Sequence, residues 1–294
     1  MLYLLIVSLI WAFSFGLIKD NLSSLDSNFV AFLRLLISFL VFIPFLRIKK
    51  IKLEFIWKLI LLGSVQFGLM YSAYIYAFKF LDAYEVVLFT ILTPIYINAI
   101  NDSMKKKFHL TYLLTAILSI LGALIIVNHE ITSQNIIYGF LLIQFSNLCF
   151  AFGQVYYKNI MTELENVKDR DIFALPYLGA VGITFLISLF AVEINKVTIT
   201  TSQIFTLLYL GVIASGLGFF LWNNGVRKTN IGTVAIFNNL KIPLGILVSV
   251  LFFGEVVKIQ NLIIGGLILI TALVINEYQL NKRILYKTMK ERNK

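Results

Sequence analysis

The chain of 294 residues contains little charge and has almost no capacity for covalent cross-linking. Only 14% of its residues are charged, 59% are hydrophobic, and the mean hydropathy is +0.88. These values exclude a water-soluble globule, because a soluble domain of this size needs a polar surface. The single cysteine, Cys149, excludes an intramolecular disulfide and a cysteine-based metal cluster. The composition predicts an all-α, polytopic membrane protein.

The sequence also lacks the motifs of enzymes and of ATP-driven pumps. Its two histidines, His109 and His129, fall in predicted loops without a nucleophile or a set of metal ligands beside them. No glycine-rich phosphate loop followed by lysine occurs. We therefore expect no enzymatic activity, no cofactor and no bound metal.

Long uncharged runs account for most of the chain. A bilayer core about 30 Å thick requires roughly 20 apolar residues of helix. Ten runs approach this length and predict ten transmembrane helices. No basic segment precedes the first run and no small-residue cleavage motif follows it, so we expect a retained helix and not a signal peptide. The runs cover residues 2–18, 29–46, 55–78, 83–100, 110–127, 136–157, 172–192, 203–224, 231–253 and 259–276.

The 25 lysines and arginines are divided unevenly between alternate loops. One side carries basic clusters within residues 47–58, 105–107, 158–170 and 227–228, together with the tail at 282–294. The other side has four lysines, Lys19, Lys79, Lys196 and Lys258. Because basic residues near span ends are retained in the cytoplasm, both termini of this multi-pass cell-membrane protein are predicted to be cytoplasmic. The net charge of +10 thus indicates contact with membrane lipid and not with nucleic acid.

An internal repeat divides the chain into two halves. A shift of 149 residues aligns the fourth and fifth runs with the ninth and tenth without a gap, pairing Lys79 with Lys228 and Pro94 with Pro243. The two prolines are predicted to bend equivalent helices. Because five spans per half is an odd number, the two five-helix repeats are inverted relative to each other, as in secondary transporters. The predicted units are the first repeat at 1–134, the second repeat at 135–280 and a basic cytoplasmic tail at 281–294.

Short motifs in a fixed order carry a family resemblance. They are Trp11-Ala-Phe-Ser, Phe32-Leu-Arg34-Leu-Leu, Pro243 followed by Phe253-Gly254-Glu255, and Gln260 with Gly265-Gly266. With ten spans as five plus five, the chain resembles the EamA branch of the drug/metabolite transporter superfamily over nearly its whole length. The resemblance implies transport of amino acids or related metabolites, often as export, and a hairpin capped by Glu255. Lys241 departs from the family pattern, which often has Glu just before this proline.

Lys241 is the ionisable residue predicted to lie deepest in the membrane. It is ten residues into the ninth run, about 15 Å from the start of that helix. An ionised group at mid-bilayer costs at least about 2.5 kcal/mol, so its ammonium predicts a site for a carboxylate-bearing substrate. The alternative is a structural lysine that binds helix-end carbonyls. Asn238 shares its helix face, and Pro243 frees a carbonyl nearby. No carboxylate is predicted near the midplane, which argues against a proton-coupled exporter of lipophilic cations.

Other polar and aromatic residues at mid-depth either bind substrate or join helices through hydrogen bonds. Arg34 lies near the outer end of the second run, where structural pairing with Asp26 or Glu85 is the favoured interpretation. Gly122 and Gly265-Gly266 are predicted to allow close helix packing. The predicted substrate-binding residues are Lys241, Asn238, Trp11, Ser14, Gln66, Tyr74 and Asn147.

These features predict a secondary transporter that moves a small organic metabolite by alternating access. The expected substrate is an amino acid or a related carboxylate, moved outward. Uptake or exchange of a nucleotide-like or sugar-phosphate anion is the alternative. A channel, a membrane enzyme and an assembly factor are disfavoured by the matched prolines, the missing catalytic cluster and the missing hydrophilic domain. The expected partners are a small-molecule substrate and membrane lipid, and the protein is predicted to be a monomer or a homodimer.

Overall fold

The computed structural model describes residues 1–48, 51–81, 83–126, 136–192, 198–253 and 259–292, and within these ranges it contains helices and no strand. Two π-helical segments, Ser64–Leu69 and Tyr209–Leu217, join α3 to α4 and α10 to α11. Short 3₁₀ turns occur at Ile43–Phe45 and Asp169–Asp171. The α-helices are α1 (Leu2–Leu22), α2 (Ser27–Phe42), α3 (Leu53–Gly63), α4 (Met70–Ala77), α5 (Ala83–Thr90), α6 (Thr93–Lys105), α7 (Leu110–Ile126), α8 (Ile136–Glu163), α9 (Ala174–Ala191), α10 (Thr201–Leu208), α11 (Gly218–Lys228), α12 (Ile231–Phe253) and α13 (Ile259–Arg292).

Each predicted apolar run overlaps helix in this structure. Seven helical stretches are long and apolar enough to cross a membrane, and Leu2–Ser14 and Leu110–Ile126 are shorter apolar helices. The ninth run corresponds to α12. The prediction of an all-α, polytopic membrane protein is confirmed, and the count of ten spans stays a prediction.

One end of the helix bundle gathers the basic loops, and we call it the basic end. The Lys228 ammonium lies 5.2 Å from the centre of the Tyr3 ring, which brings the end of α11 to the start of α1. The Arg47 backbone N–H donates to the Asp171 carbonyl at 2.8 Å, joining the α2–α3 and α8–α9 connections. The basic end therefore holds the start of α1 and the connections that follow α2, α8 and α11.

The opposite end is formed by the other set of connections. Lys79 Nζ lies 3.8 Å from Asp26 Oδ2, which brings the end of α4 to the start of α2. Gln203 Nε2 donates to Ser24 Oγ at 2.9 Å, which adds the start of α10. α1 and the α3–α4 segment therefore run from the basic end to the opposite end, whereas α2 and the α10–α11 segment run the other way, as the loop charges predict for these segments.

The last helices of the two halves, α7 and α13, pack closely through glycine. A side-chain carbon on Gly122 would lie 2.9 Å from the Gly265 carbonyl oxygen, so a larger residue does not fit there. The prediction for Gly122 and Gly265 is confirmed. It is wrong for Gly266, because a side-chain carbon there would meet nothing within 4 Å.

The two halves share one irregularity and differ in another. The π-helical segments occur in the third and eighth runs, which correspond in the predicted repeat. The fourth run is interrupted between Thr90 and Thr93, just before Pro94, whereas α12 continues through Pro243 as one helix. The repeat boundaries and the inverted relation stay predictions. Gly254, Glu255 and His129 lie outside the described residues.

Candidate functional site

A cavity lies between the centre of the bundle and its opposite end. The space between its walls is about 560 Å³, including the open mouth. Polar side chains on its wall belong to α2, α4, α5, α8 and α12, and three aromatic rings form its floor. The polar wall residues include Arg34, Tyr71, Tyr74, Asn147 and Lys241, and the floor is Trp11, Phe150 and Phe219.

Four of the seven predicted substrate-binding residues, Trp11, Tyr74, Asn147 and Lys241, line this cavity. The other three are buried beside it and hydrogen-bond within the protein. Ser14 Oγ donates to the Ile10 carbonyl at 3.1 Å. Gln66 pairs with Asn223, and Asn238 pairs with Gln154.

The π-helical segment Tyr209–Leu217 supports the cavity floor from behind. Its widened turn leaves carbonyls outside the regular helix ladder, and side chains from other helices bind them. Trp11 Nε1 donates to the Ala214 carbonyl at 2.9 Å, and the Tyr177 hydroxyl donates to the Ser215 carbonyl at 2.7 Å. The Trp11 ring centre lies 5.2 Å from that of Phe219, so the irregular segment fixes the floor.

Arg34 is a cavity residue that sequence reasoning assigned to a structural role. Only 1% of its surface is exposed. Nη2 donates to the Tyr71 hydroxyl at 2.9 Å and to Ser215 Oγ at 3.1 Å. Nη1 is buried and has no hydrogen-bond partner in the described part of the chain. Asp26, one of its predicted partners, instead caps α2 and approaches Lys79. Because the hydroxyl partners are neutral, no described hydrogen bond of the guanidinium neutralises its charge, and Nη1 keeps an unused donor.

Lys241 is the second cation of the cavity. Its exposed fraction is 8%, and among the described residues it makes no hydrogen bond or ion pair. The wall residues that the structure describes include both Arg34 and Lys241 and no Asp or Glu. A ligand with a negative charge complements this lining.

Several polar side chains in the middle of the bundle bind backbone carbonyls that the interruption between α5 and α6 leaves free. Ending a helix in mid-bundle leaves its last carbonyls without partners. Asn147 Nδ2 and Gln144 Nε2 donate to the Phe89 carbonyl at 2.9 and 3.1 Å. Asn239 Nδ2 donates to the Ile91 carbonyl at 3.2 Å. These amides therefore stabilise the broken helix beside the cavity, and Asn147 also lines it.

An ion pair joins α11 to the Asp169–Asp171 turn at the basic end, below the cavity. Arg227 Nη1 lies 2.8 Å from Asp169 Oδ2, and the Tyr157 hydroxyl donates to Asp169 Oδ1 at 2.7 Å. Lys158 Nζ donates to the carbonyls of Val226, at 2.9 Å, and of Thr229 at the end of α11. The cavity thus extends toward the opposite end, while these contacts hold α8, α11 and the Asp169–Asp171 turn together.

The fold is that of a polytopic helical membrane protein with a central cavity. The chain belongs to the EamA-like transporter family, whose model matches residues 1–128 and 137–277. The prediction that it is not an enzyme is confirmed by this membership.

Two relatives and one solved structure extend the comparison. The "Biotin transporter" of Salmonella typhimurium is 37% identical over 279 residues, covering 93% of this chain and 91% of that protein. The "Probable biotin transporter" of Pseudomonas aeruginosa is 34% identical over 278 residues, covering 94% of this chain and 97% of that protein. A crystal structure of a protein with 15% identity aligns with a TM-score of 0.75 over 94% of this chain and 96% of that one, which supports the fold alone.

Proposed function

We propose that this protein transports a small monocarboxylate by alternating access and that biotin is its first candidate substrate. The observation that carries the proposal is the pair of buried cations, Arg34 and Lys241, on the wall of one aromatic-floored cavity. The two relatives named as biotin transporters support the choice of substrate.

Charge complementarity favours a monocarboxylate over an amino acid. Attraction between unit charges is stronger in a low-dielectric site than in water, and so is repulsion. A carboxylate gains from Arg34 and Lys241, whereas the ammonium of an amino acid finds no Asp or Glu among the described wall residues. Biotin carries one carboxylate and no amine. Its fused rings suit an aromatic floor, because planar and ring-shaped apolar groups pack well on such surfaces.

Transport by purified protein in proteoliposomes tests the proposal. Radiolabelled biotin is offered outside the vesicles or loaded inside them, because the family resemblance favours export and the direction has to be measured. An amino-acid panel and a nucleotide-like or sugar-phosphate anion are tested in parallel. Saturable transport of biotin, inhibited poorly by amino acids, is the expected result. Preference for a zwitterion or a phosphate would contradict the proposal, and flux that never saturates would indicate a channel.

Substitution of Lys241 tests the proposed carboxylate contact most directly. A hydrogen bond to a charged group is worth about 1.5–3 kcal/mol, so Lys241→Met should lower kcat/KM for biotin by about 10- to 100-fold. Lys241→Arg keeps the charge and should retain part of the activity. Lys79→Met is the matched control, because Lys79 is 49% exposed at the opposite end. Wild-type kinetics in Lys241→Met would remove this residue from the site.

We also propose that the protein lies in the cell membrane with both termini in the cytoplasm. The one-sided distribution of lysine and arginine supports this orientation. Tags at the two termini of intact cells should both be inaccessible to an external probe. Labelling of either tag from outside would contradict the proposed topology.

A further inference from the structure

Directly below the cavity floor lies a cluster of neutral polar side chains. Three cavity residues belong to helices that continue toward the basic end, namely Phe150 on α8, Phe219 on α11 and Lys241 on α12. One turn further toward that end, on the same helix faces, lie Gln154, Trp222 and Asn238. All three are fully buried. The cluster is therefore separated from the cavity by about one helical turn, roughly 5.4 Å.

Hydrogen bonds fix the orientation of both amides in the cluster. Gln154 Oε1 accepts from Trp222 Nε1 at 3.0 Å, so this atom has to be the oxygen. Asn238 Nδ2 donates to the Val234 carbonyl at 2.8 Å and to Gln154 Oε1 at 3.2 Å, so this atom has to be the nitrogen. What remains is one donor group, Gln154 Nε2, and one acceptor, Asn238 Oδ1, neither with a hydrogen-bond partner in the described structure.

A neighbouring amide pair differs from this cluster because its two side chains hydrogen-bond to each other in both directions. Gln66 Nε2 donates to Asn223 Oδ1 at 2.9 Å, and Asn223 Nδ2 donates back to Gln66 Oε1 at 3.2 Å. This pair satisfies itself and needs no further ligand. Gln154 and Asn238 do not, although an unpaired polar group is costly to bury. Their free donor and free acceptor together match a neutral group that presents a carbonyl beside an N–H.

We infer that Gln154 and Asn238 form a second polar subsite, which binds an amide-like or cyclic urea group of the substrate while Arg34 and Lys241 bind its carboxylate. The inference rests on the proposed function, because biotin carries a cyclic urea. The pair is fully buried in this conformation, so the substrate reaches it when the floor residues move as the basic end opens. The subsite adds a specificity that the two cations cannot supply, since they recognise any carboxylate.

Competition against radiolabelled biotin uptake tests the subsite without any substitution. Desthiobiotin keeps both the carboxylate and the cyclic urea, and 5-cyclohexylpentanoate keeps the carboxylate and a ring but has no urea. In the wild-type protein, desthiobiotin should compete within a few-fold of biotin. The cyclohexyl compound should be at least about tenfold weaker. Equal competition by both compounds would overturn the subsite.

Substitutions then test whether Gln154 and Asn238 are responsible for the discrimination between biotin and the cyclohexyl compound. Gln154→Met and Asn238→Leu should each raise the inhibition constant of biotin and leave that of the cyclohexyl compound unchanged, so that their ratio falls toward one. Gln203→Met is the matched control, because Gln203 is a buried amide at the opposite end whose donor and acceptor are both paired within the protein. It should keep the wild-type ratio.

Several results would overturn the inference. The inference fails if the folded, monodisperse Gln154 and Asn238 variants keep the wild-type ratio of the two inhibition constants. It also fails if the control variant loses this ratio to the same extent. If the wild-type protein transports no biotin, the proposed function fails and the subsite fails with it. If it transports biotin without discriminating the urea, the subsite alone fails.

Discussion

The ion pair at the basic end leads to a quantitative prediction about the conformational equilibrium. The Asp169 side chain is 7% exposed and the Arg227 side chain 24% exposed. Arg227→Gln leaves a buried carboxylate with Tyr157 as its remaining side-chain donor. Removing one partner of a fully buried pair costs about 3–5 kcal/mol, and partial hydration of this pair lowers the figure to about 2 kcal/mol. If this end opens during transport, the ratio of open to closed molecules should rise about 30-fold.

The different exposures of the Asp169 and Arg227 side chains also predict that removing one costs more free energy than removing the other. Asp169→Asn leaves the more exposed Arg227 without its partner, and water can solvate the guanidinium. The cost should therefore be about 1 kcal/mol or less, or roughly a fivefold shift. Combining the two substitutions should restore most of the closed population, because neither buried charge then remains.

Cysteine labelling in detergent measures the open population. In a Cys149→Ala background, Ala235→Cys places a small thiol at a fully buried position on the α12 face shared by Asn238 and Lys241. When opening is fast relative to labelling, the rate follows the open fraction. Arg227→Gln should accelerate labelling more than Asp169→Asn does. An equal or reversed order, or no acceleration, would refute the assignment of this pair as the closing contact.

The remaining predictions concern packing and the cavity wall. Gly265→Leu should overpack against Gly122 and lower stability by about 1–3 kcal/mol in thermal unfolding, whereas Gly266→Leu should have little effect because nothing lies near that position; equal losses would contradict the packing. Asn147→Leu removes one donor to the broken end of α5 and should cost only about 0.6 kcal/mol in the same assay; a loss several times larger would show that the second donor does not compensate. Arg34→Lys keeps the charge but loses the guanidinium fork, and we expect KM for biotin to rise about tenfold with kcat less affected; unchanged KM would place this residue outside the substrate contact.

Much of the fold follows from one-dimensional patterns. Apolar runs of span length predict the positions of the helices, and alternate basic loops predict their direction, because both depend only on the bilayer as a solvent. Lys241 was predictable for the same reason, since depth along a helix can be counted. The prediction of close glycine packing was right for Gly265 and wrong for Gly266, because the facing helix decides which of two neighbouring glycines is in contact.

The rest of the site depends on distortions that no periodicity reveals. The π-helical segment Tyr209–Leu217 changes which side chains share a face, and it brings Ser215 to the Arg34 guanidinium. A regular helix assumed from sequence does not predict this contact. Arg34 was therefore assigned by its distance from the end of the span, which favoured a structural partner. The sequence signal that could have identified Arg34 as a cavity residue is its position as a cation within the apolar second run.

The polar residues within the membrane-spanning part of the protein differ in how fully their hydrogen-bonding capacity is used. The amide nitrogens of Asn147 and Asn239 bind carbonyls freed by the break between α5 and α6, so helix geometry accounts for these two donor groups. Arg34 Nη1 and Gln154 Nε2 are buried donors without a partner in the described structure, and the Oδ1 atoms of Asn238 and Asn239 are buried acceptors without one. A charged donor lies at the cavity wall, and a neutral donor with an acceptor lies one turn below its floor. A molecule with a carboxylate at one end and an amide-like group at the other satisfies both as it moves through the protein, whereas a simple anion satisfies only the first.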